Sequence, residues 1–438
     1  MKTKKEQIQV YIPMRGDIIH PAIINIIDEG AKLGEVTVGL LTDKAICQYT
    51  RPPQLNYNQR KKVIEAIRNV IKVIPQNSVD CSENILSIKP NLVLHGDDWK
   101  EGFQSSIRKK VIDILKAWNG KLHEIPYDKK TLPNIVNELS SSMGITSDKR
   151  LLTLRKLLDS KIITRIIEAH NGLTGTIAEY ANYEKDGIIR EFDCMWASSL
   201  TDATSRAKPD IEAVDLSLRM STINEIFEVT TKPLIFDGDT GGKSEHLAFT
   251  IKSLERLGVS AIVIEDKKGL KKNSLLGIEV KQEQDSIENF SQKIALAKNS
   301  QNSEDFMIIA RIESLILEKG MPDAINRAKA YIEYGADAIL IHSRSNSPRE
   351  IFNFSEQYYK KGLNKPLICV PSSYSQVKEE ELISNGFKAV IYANQLLRAA
   401  YPAMQNIANT LLQNRRALEA EKKLMSIKEI LELIPGTR

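Results

Sequence analysis

The stretch FDGDTGG, residues 236–242, ends an apolar run with two carboxylates and two glycines. Side chains alternate along a strand, so Asp237 and Asp239 share one side while Gly238 lets another backbone approach. Glu265 ends a second apolar run, SAIVIED, and adds a third acid. Carboxylates that converge away from water raise one another's pKa unless a cation lies between them, and an all-oxygen set favours Mg2+, with Mn2+ as the alternative. A single strand-end aspartate is as readily a cap for the next helix or turn; two strands ending this way tip the reading toward a metal. Arg311 and His342 end two further runs, FMIIARIES and DAILIHS, and face the acids with positive charge. A guanidinium suits a substrate carboxylate or phosphate, and an imidazole can stabilise developing negative charge. The competing reading pairs Arg311 internally with Glu313 or Glu265. The polar stretch EDKKGLKKNS, 265–274, has the composition of a lid that carries Lys271 and Asn273 onto a substrate, or of a plain solvated loop.

These residues need a frame that brings distant segments to one place. Eight apolar, β-branched runs, each ending in polar residues and followed by a helix pattern, occupy the chain from ITRIIEAHN to AVIYAN. Such alternation predicts an α/β fold with a C-terminal (β/α)8 barrel of the TIM type, whose active site lies at the C-terminal ends of the strands. Those ends are His170 and Asn171, Trp196 and Ser198, Asp237 and Asp239, Glu265 and Asp266, Arg311 and Glu313, and His342 and Ser343. Ahead of them, IQVYIP, a helix opened by Pro21 and EVTVGLLTD form a βαβ unit. A long helix pattern from Tyr57, a strand at 90–99, a basic helix from about Ser105 and a strand-like GKLHEIPYD complete a small Rossmann-like region. We place this domain at 1–139, a polar linker at 140–154 and the barrel with its C-terminal helices at 155–438, with Ser147 or Asp148 capping the first barrel helix.

At 438 residues and 42% hydrophobic the chain can build at least two cores. Its 61 basic and 56 acidic residues are interleaved, which argues against nucleic acid as a partner. Four scattered cysteines without a C-x-x-C spacing fit a reducing, cytoplasmic setting better than a zinc site or disulfide framework. No apolar run approaches the roughly 20 residues of a membrane span, and no signal-type segment opens the chain.

Five separated motifs, EAHNG (168–172), DGDTG (237–241), EDK with KKNS (265–274), IIARIES (308–314) and ILIHS (339–343), resemble the phosphoenolpyruvate mutase group of the isocitrate lyase superfamily. The resemblance spans about residues 155–438. It implies a Mg2+-dependent barrel that interconverts phosphoenolpyruvate and 3-phosphonopyruvate, forming a carbon–phosphorus bond for phosphonate biosynthesis. It also implies roles for residues: Asp237, Asp239 and Glu265 at the metal, with Asp210 beside them; Trp196, Ser198 and Ser343 at the substrate; Arg311 and His342 on its anionic groups; Lys271 and Asn273 in the lid. Superfamily members of this kind form homodimers or homotetramers. The lyases of the superfamily carry a lid cysteine, and here the segment is KKNSL; phosphonopyruvate hydrolase shares the metal site and stays the alternative. After the aspartates the run DTGGKSEH departs from the group's D-T-G-Y-G-N.

The front region resembles the cytidylyltransferases, whose H-x-G-H pair opens a helix and contacts a nucleotide. His20 matches the first histidine. Ala22 and Ile23 replace the glycine and the second histidine, and KKTLPNIV at 129–136 stands where I-S-S-T is usual. The expectation is a retained fold without transferase catalysis, binding a cytidine nucleotide weakly through His20 or serving assembly.

Overall fold

The computed structural model describes residues 8–100, 102, 104–126, 146–185 and 188–434. The front region is a five-stranded parallel sheet of β1 (Gln9–Met14), β2 (Glu35–Leu41), β3 (Val70–Gln76), β4 (Leu92–Gly96) and β5 (Lys121–Ile125), in the order β3-β2-β1-β4-β5. This Rossmann-like order reverses direction between β1 and β4, which opens a crevice at their C-terminal ends. Helix Pro21–Leu33 starts with the proline whose missing N–H costs nothing there, and buries Ile27 and Gly30 against the sheet. The helix expected from Tyr57 to about residue 71 stops early. Asn56 and Gln59 form a capping box, the helix ends at Glu65, and Asn69 adopts a left-handed φ of 73° before β3 begins. The β-branched residues of Val70–Gln76 pair with β2 instead, so tertiary pairing overrides a helix-like apolar spacing.

All eight expected barrel strands form: β6 (Thr164–Glu168), β7 (Cys194–Ala197), β8 (Leu234–Asp237), β9 (Ala261–Glu265), β10 (Met307–Ile312), β11 (Ala338–Ile341), β12 (Leu367–Cys369) and β13 (Phe387–Tyr392). They close in chain order, with β13 pairing β6. Alternation sorts their side chains into two cores. Ile166, Trp196, Ile235, Val263, Ile309 and Leu340 fill the barrel, while Ile167, Met195, Phe236, Ile262, Ile308 and Ile341 pack outward on the helices.

Helix Ser147–Ser160 precedes the barrel and buries Leu154 and Leu158 in the inner core. Thr146 holds the cap position, so Ser147 and Asp148 belong to the first turn rather than capping it. Residues 147–154 of the expected linker are therefore helical; its beginning, the boundary near Leu139 and the 129–136 segment lie outside the described residues. Lys156 Nζ donates to the Gln54 carbonyl at 2.6 Å, and Arg51 pairs with Glu179 at 3.1 Å, tying the front domain to the barrel. The chain finishes with helix Gln395–Asn414, which buries no residue, and helix Ile427–Glu432; Tyr401, Leu412 and Ile427 stand exposed. No helix among the described residues is long and apolar enough to cross a membrane.

Candidate active site

At the C-terminal end of the barrel a cavity of about 60 Å³ is lined by Trp196, Ser198, Asp210, Asp237, Glu265, Lys271, Asn273, Arg311 and His342. The strand ends set this arrangement. After Asp237 the chain folds onto β9: Gly238 N donates to Val263 O and Glu265 N to Asp239 O, both at 2.8 Å. A Cβ on Gly238 would lie 2.7 Å from the Ile262 side chain and 2.8 Å from the Val263 carbonyl oxygen, so the contact needs glycine. Asp239 takes a left-handed φ of 52°, a costly conformation for a non-glycine residue that is common at functional sites.

The acids converge on an ammonium group. Lys271 is 5% exposed; its Nζ lies 3.0 Å from Asp210 Oδ1 and 3.9 Å from Asp237 Oδ2, and contacts Asp239 Oδ1 and Ser199 Oγ. Asn273 Nδ2 donates to Asp210 Oδ2 at 2.9 Å. Burial alone would push Asp237 up, but Lys271, Arg311 and Arg219 outweigh it and hold its pKa at about 2. Glu265 behaves oppositely: burial prevails over Arg311 and Lys267 and raises it to about 7. Burial opposes the charge on Lys271, yet Asp237, Asp239 and Asp210 keep it protonated, with a raised pKa.

Arg311 realises both sequence readings. Its Nε donates to Glu313 Oε1 at 2.6 Å, and its Nη2 lies 3.7 Å from Glu265 Oε2, so it is internally paired. The same Nη2 reaches Ser274 Oγ at 2.7 Å and His342 Nδ1 at 2.9 Å within the cavity wall. A guanidinium only donates, so His342 Nδ1 is the accepting nitrogen and Nε2 carries the proton. Burial, then the charge of Arg311, lowers the His342 pKa and keeps the ring neutral.

Other strand ends do structural work. His170 Nδ1 bonds Glu168 Oε2 at 2.7 Å, and Asn171 caps helix Gly172–Tyr180. Asp266 faces Arg327 and Tyr331 beneath the mouth. Ser343, expected at the substrate, instead donates to Glu350 Oε2 at 2.5 Å and does not line the cavity. Three contributors escaped the sequence reading. Ser199 donates to Asp237 Oδ2 at 2.8 Å, Arg219 donates to the Asp237 carbonyl at 2.7 Å while lying over the Phe236 ring, and Lys267 sits 3.3 Å from Glu265. Ser199 adjoins the Ser198 strand end; nothing local marks Arg219, which lies inside helix Leu216–Val229.

The acid set fits a hard divalent cation. Asp210 Oδ1, Asp239 Oδ1 and Glu265 Oε1 are buried and accept no hydrogen bond, and among the described residues the only positive groups at them are the Lys271 and Lys267 ammonium ions, which stand where a cation would. Among the described residues no three ligands converge closely enough to close a metal's coordination sphere on their own. Mg2+ does not need that, because it commonly keeps several waters and takes only one or two carboxylates.

The family model described as phosphoenolpyruvate phosphomutase matches residues 154–412. The chain belongs to the phosphoenolpyruvate mutase/isocitrate lyase superfamily. A cytidylyltransferase-like model matches residues 16–148, which hold β2 to β5 of the front sheet. Within the superfamily, the chain is 36% identical over 282 residues to phosphonopyruvate hydrolase of Variovorax sp. (strain Pal2), covering 64% of this chain and 93% of that protein. It is 31% identical over 300 residues to phosphoenolpyruvate phosphomutase of Tetrahymena pyriformis, covering 68% and 95% respectively. A solved structure of phosphonopyruvate hydrolase in complex with oxalate and Mg++ aligns with a TM-score of 0.58 at 34% identity, over 65% of this chain and 94% of that one. These superfamily relatives thus include both a mutase and a hydrolase.

The cytidylyltransferase-like domain has its own cavity, about 340 Å³, at the ends of β1 and β4, lined by Arg15, His20, Ile23, Tyr49, His95 and Trp99 among others. His20 precedes Pro21 in extended backbone and makes no capping bond; its Nδ1 is buried without a partner. Burial lowers its pKa, so the ring is neutral. His95 and Trp99 stack at 3.8 Å.

Proposed function

We propose that the barrel interconverts phosphoenolpyruvate and 3-phosphonopyruvate and depends on a divalent cation, Mg2+ or Mn2+. The observation that carries this reading is the cavity lining, with Lys271 and Asn273 of the lid in it beside Asp237, Glu265, Arg311 and His342, and no cysteine. A lyase of this superfamily needs an acid in the lid to protonate its product. All four cysteines are buried elsewhere. A phosphoryl group in transit, by contrast, needs no acid, only cations and donors that hold it in place.

Asp237, with Asp239, Glu265 and Asp210 directly or through water, would hold the cation, whose charge supports an enolate oxygen. In the reaction the bond between the bridging oxygen and phosphorus breaks, leaving the pyruvate enolate, and its methylene carbon bonds the phosphorus; no proton is gained or lost. Catalysis of this kind is positioning and charge stabilisation. Arg311 neutralises anionic oxygens from one side of the cavity, the His342 Nε2–H donates to the transferring group, and Asn273 orients it from the lid. Trp196 and Ser198 wall the pyruvyl part.

Phosphorus NMR of the protein with phosphonopyruvate and Mg2+ tests the reading: phosphoenolpyruvate should appear without inorganic phosphate. Pyruvate and phosphate would establish the second reading, hydrolysis, which the 36% identity to the Variovorax hydrolase favours. We assign the front domain to binding a cytidine nucleotide without turnover or to assembly. The exposed apolar face of the C-terminal helices suits a second copy in a homodimer or homotetramer.

A further inference from the structure

The geometry points to Lys271 as a built-in occupant of the cation cage, so that divalent-cation binding and closure of the lid by this lysine exclude each other until an anionic substrate enters. The inference rests on the metal reading above and concerns how the site is loaded.

The Lys271 ammonium is held by Asp210, Asp237, Asp239 and Ser199, the oxygens that face the centre of the acid cluster. Asp239 Oδ1 and Asp210 Oδ1, the two carboxylate oxygens nearest it, accept no hydrogen bond from another group and are left to the ammonium. A single positive charge at that point balances part of the acid excess and keeps the carboxylates from repelling one another. A doubly charged ion placed among the same oxygens would stand within a few ångströms of the ammonium, with little water between them to screen the repulsion. One of the two must leave. An anionic substrate changes the balance: its oxygens offer the ammonium a new partner, and the lid can close with the cation in place.

The lid has the construction for such an exchange. Its base is a two-stranded clasp, Lys267–Lys268 against Glu283–Gln284, with Gly269 at a φ of 80° and Gly277 at 52° inside it. The tip is fastened by polar contacts that can break and re-form: Asn273 to Asp210 and Ser274 to Arg311. Leu270, Leu276 and Ile278 are exposed, so little apolar burial holds the tip down.

Mn2+ binding to the substrate-free protein, followed by electron paramagnetic resonance, tests the exchange. Lys271→Met keeps the length of the side chain and removes its charge; Lys272→Met removes the same charge from the next residue, which has no ion pair among the described residues. The competitor lowers apparent affinity in proportion to its occupancy. K271M should therefore bind Mn2+ at least tenfold more tightly than the wild type, and K272M should differ less than threefold. In the wild type, Mn2+ alone should speed tryptic cleavage after Lys268 and Lys272, and Mn2+ with oxalate should slow it again. Equal or weaker binding by K271M, the same gain in K272M, or no Mn2+ binding by either protein overturns the inference. Neither readout involves turnover, so a protein that proved to be a hydrolase would leave the result standing.

Discussion

At the residue scale, Asp237 is the acid with the most at stake. Its carboxylate accepts from Ser199 and lies within reach of Lys271, and its pKa of about 2 keeps it charged at every working pH. Asp237→Ala should lower kcat by several orders of magnitude, as losing a cation's charge stabilisation would. Full turnover in excess chelator would count against the metal itself. Asn273 differs because its one long-range bond, to Asp210, joins lid to barrel while its side chain lies partly open. Asn273→Ala should cost roughly a hundredfold in kcat, the loss typical of one well-placed donor, and move the melting temperature by no more than about 2 °C, as for a surface change. A variant that melts much earlier, or turns over normally, would make the contact structural.

Elements explain which of these residues could be read from the sequence. Strand ends were legible because period-2 alternation and a polar terminus are local signals, and they located Asp237, Glu265, Arg311 and His342. The polar, glycine-containing composition of 265–274 left a lid and a solvated loop open, and the structure places its Lys271 and Asn273 at the cavity. Arg219 was not, since a helical arginine looks like any solvated residue until its guanidinium is found against Phe236 and the Asp237 carbonyl. Ser343 misled for the converse reason: it occupies a strand end, but Glu350 claims its hydroxyl. The β3 strand was missed because its apolar spacing also fits a helix, and only pairing with β2 decides. Gly238 makes an elemental prediction. Its Cβ position is filled by Ile262 and by the Val263 carbonyl, an atom that cannot swing aside. Gly238→Ala should destabilise the barrel by about 1–3 kcal/mol, the usual range for overpacking, and lower activity further by displacing Asp237 and Asp239. Denaturant unfolding measures the first effect; an unchanged midpoint would show that β8 and β9 can separate at no cost.

On the scale of the whole molecule, two sheets each open a crevice at their C-terminal ends, and the two crevices differ in the charge they gather. At the barrel crevice, Asp210, Asp237, Asp239 and Glu265 pair with Lys271, Lys267, Arg219 and Arg311. The front crevice is larger, and the charged groups and histidines of its lining are Arg15, paired with Asp17 at 3.3 Å, His20, and His95 beside Asp98. A transferring triphosphate gathers negative charge as its α-phosphorus is attacked, and several donors must meet that charge together. Ile23, which lines this cavity, stands where a second histidine would donate. Removing one donor from such a set commonly costs about 10² to 10³ in rate, and His20 alone supplies one donor. The domain should therefore release no pyrophosphate from CTP at a useful rate with 2-aminoethylphosphonate or related acceptors, while cytidine nucleotides bind weakly at the crevice. A coupled pyrophosphate assay decides it. Rapid release that His20→Ala abolishes would mean that one histidine at the start of the Pro21 helix suffices, and would make the chain a working bifunctional enzyme.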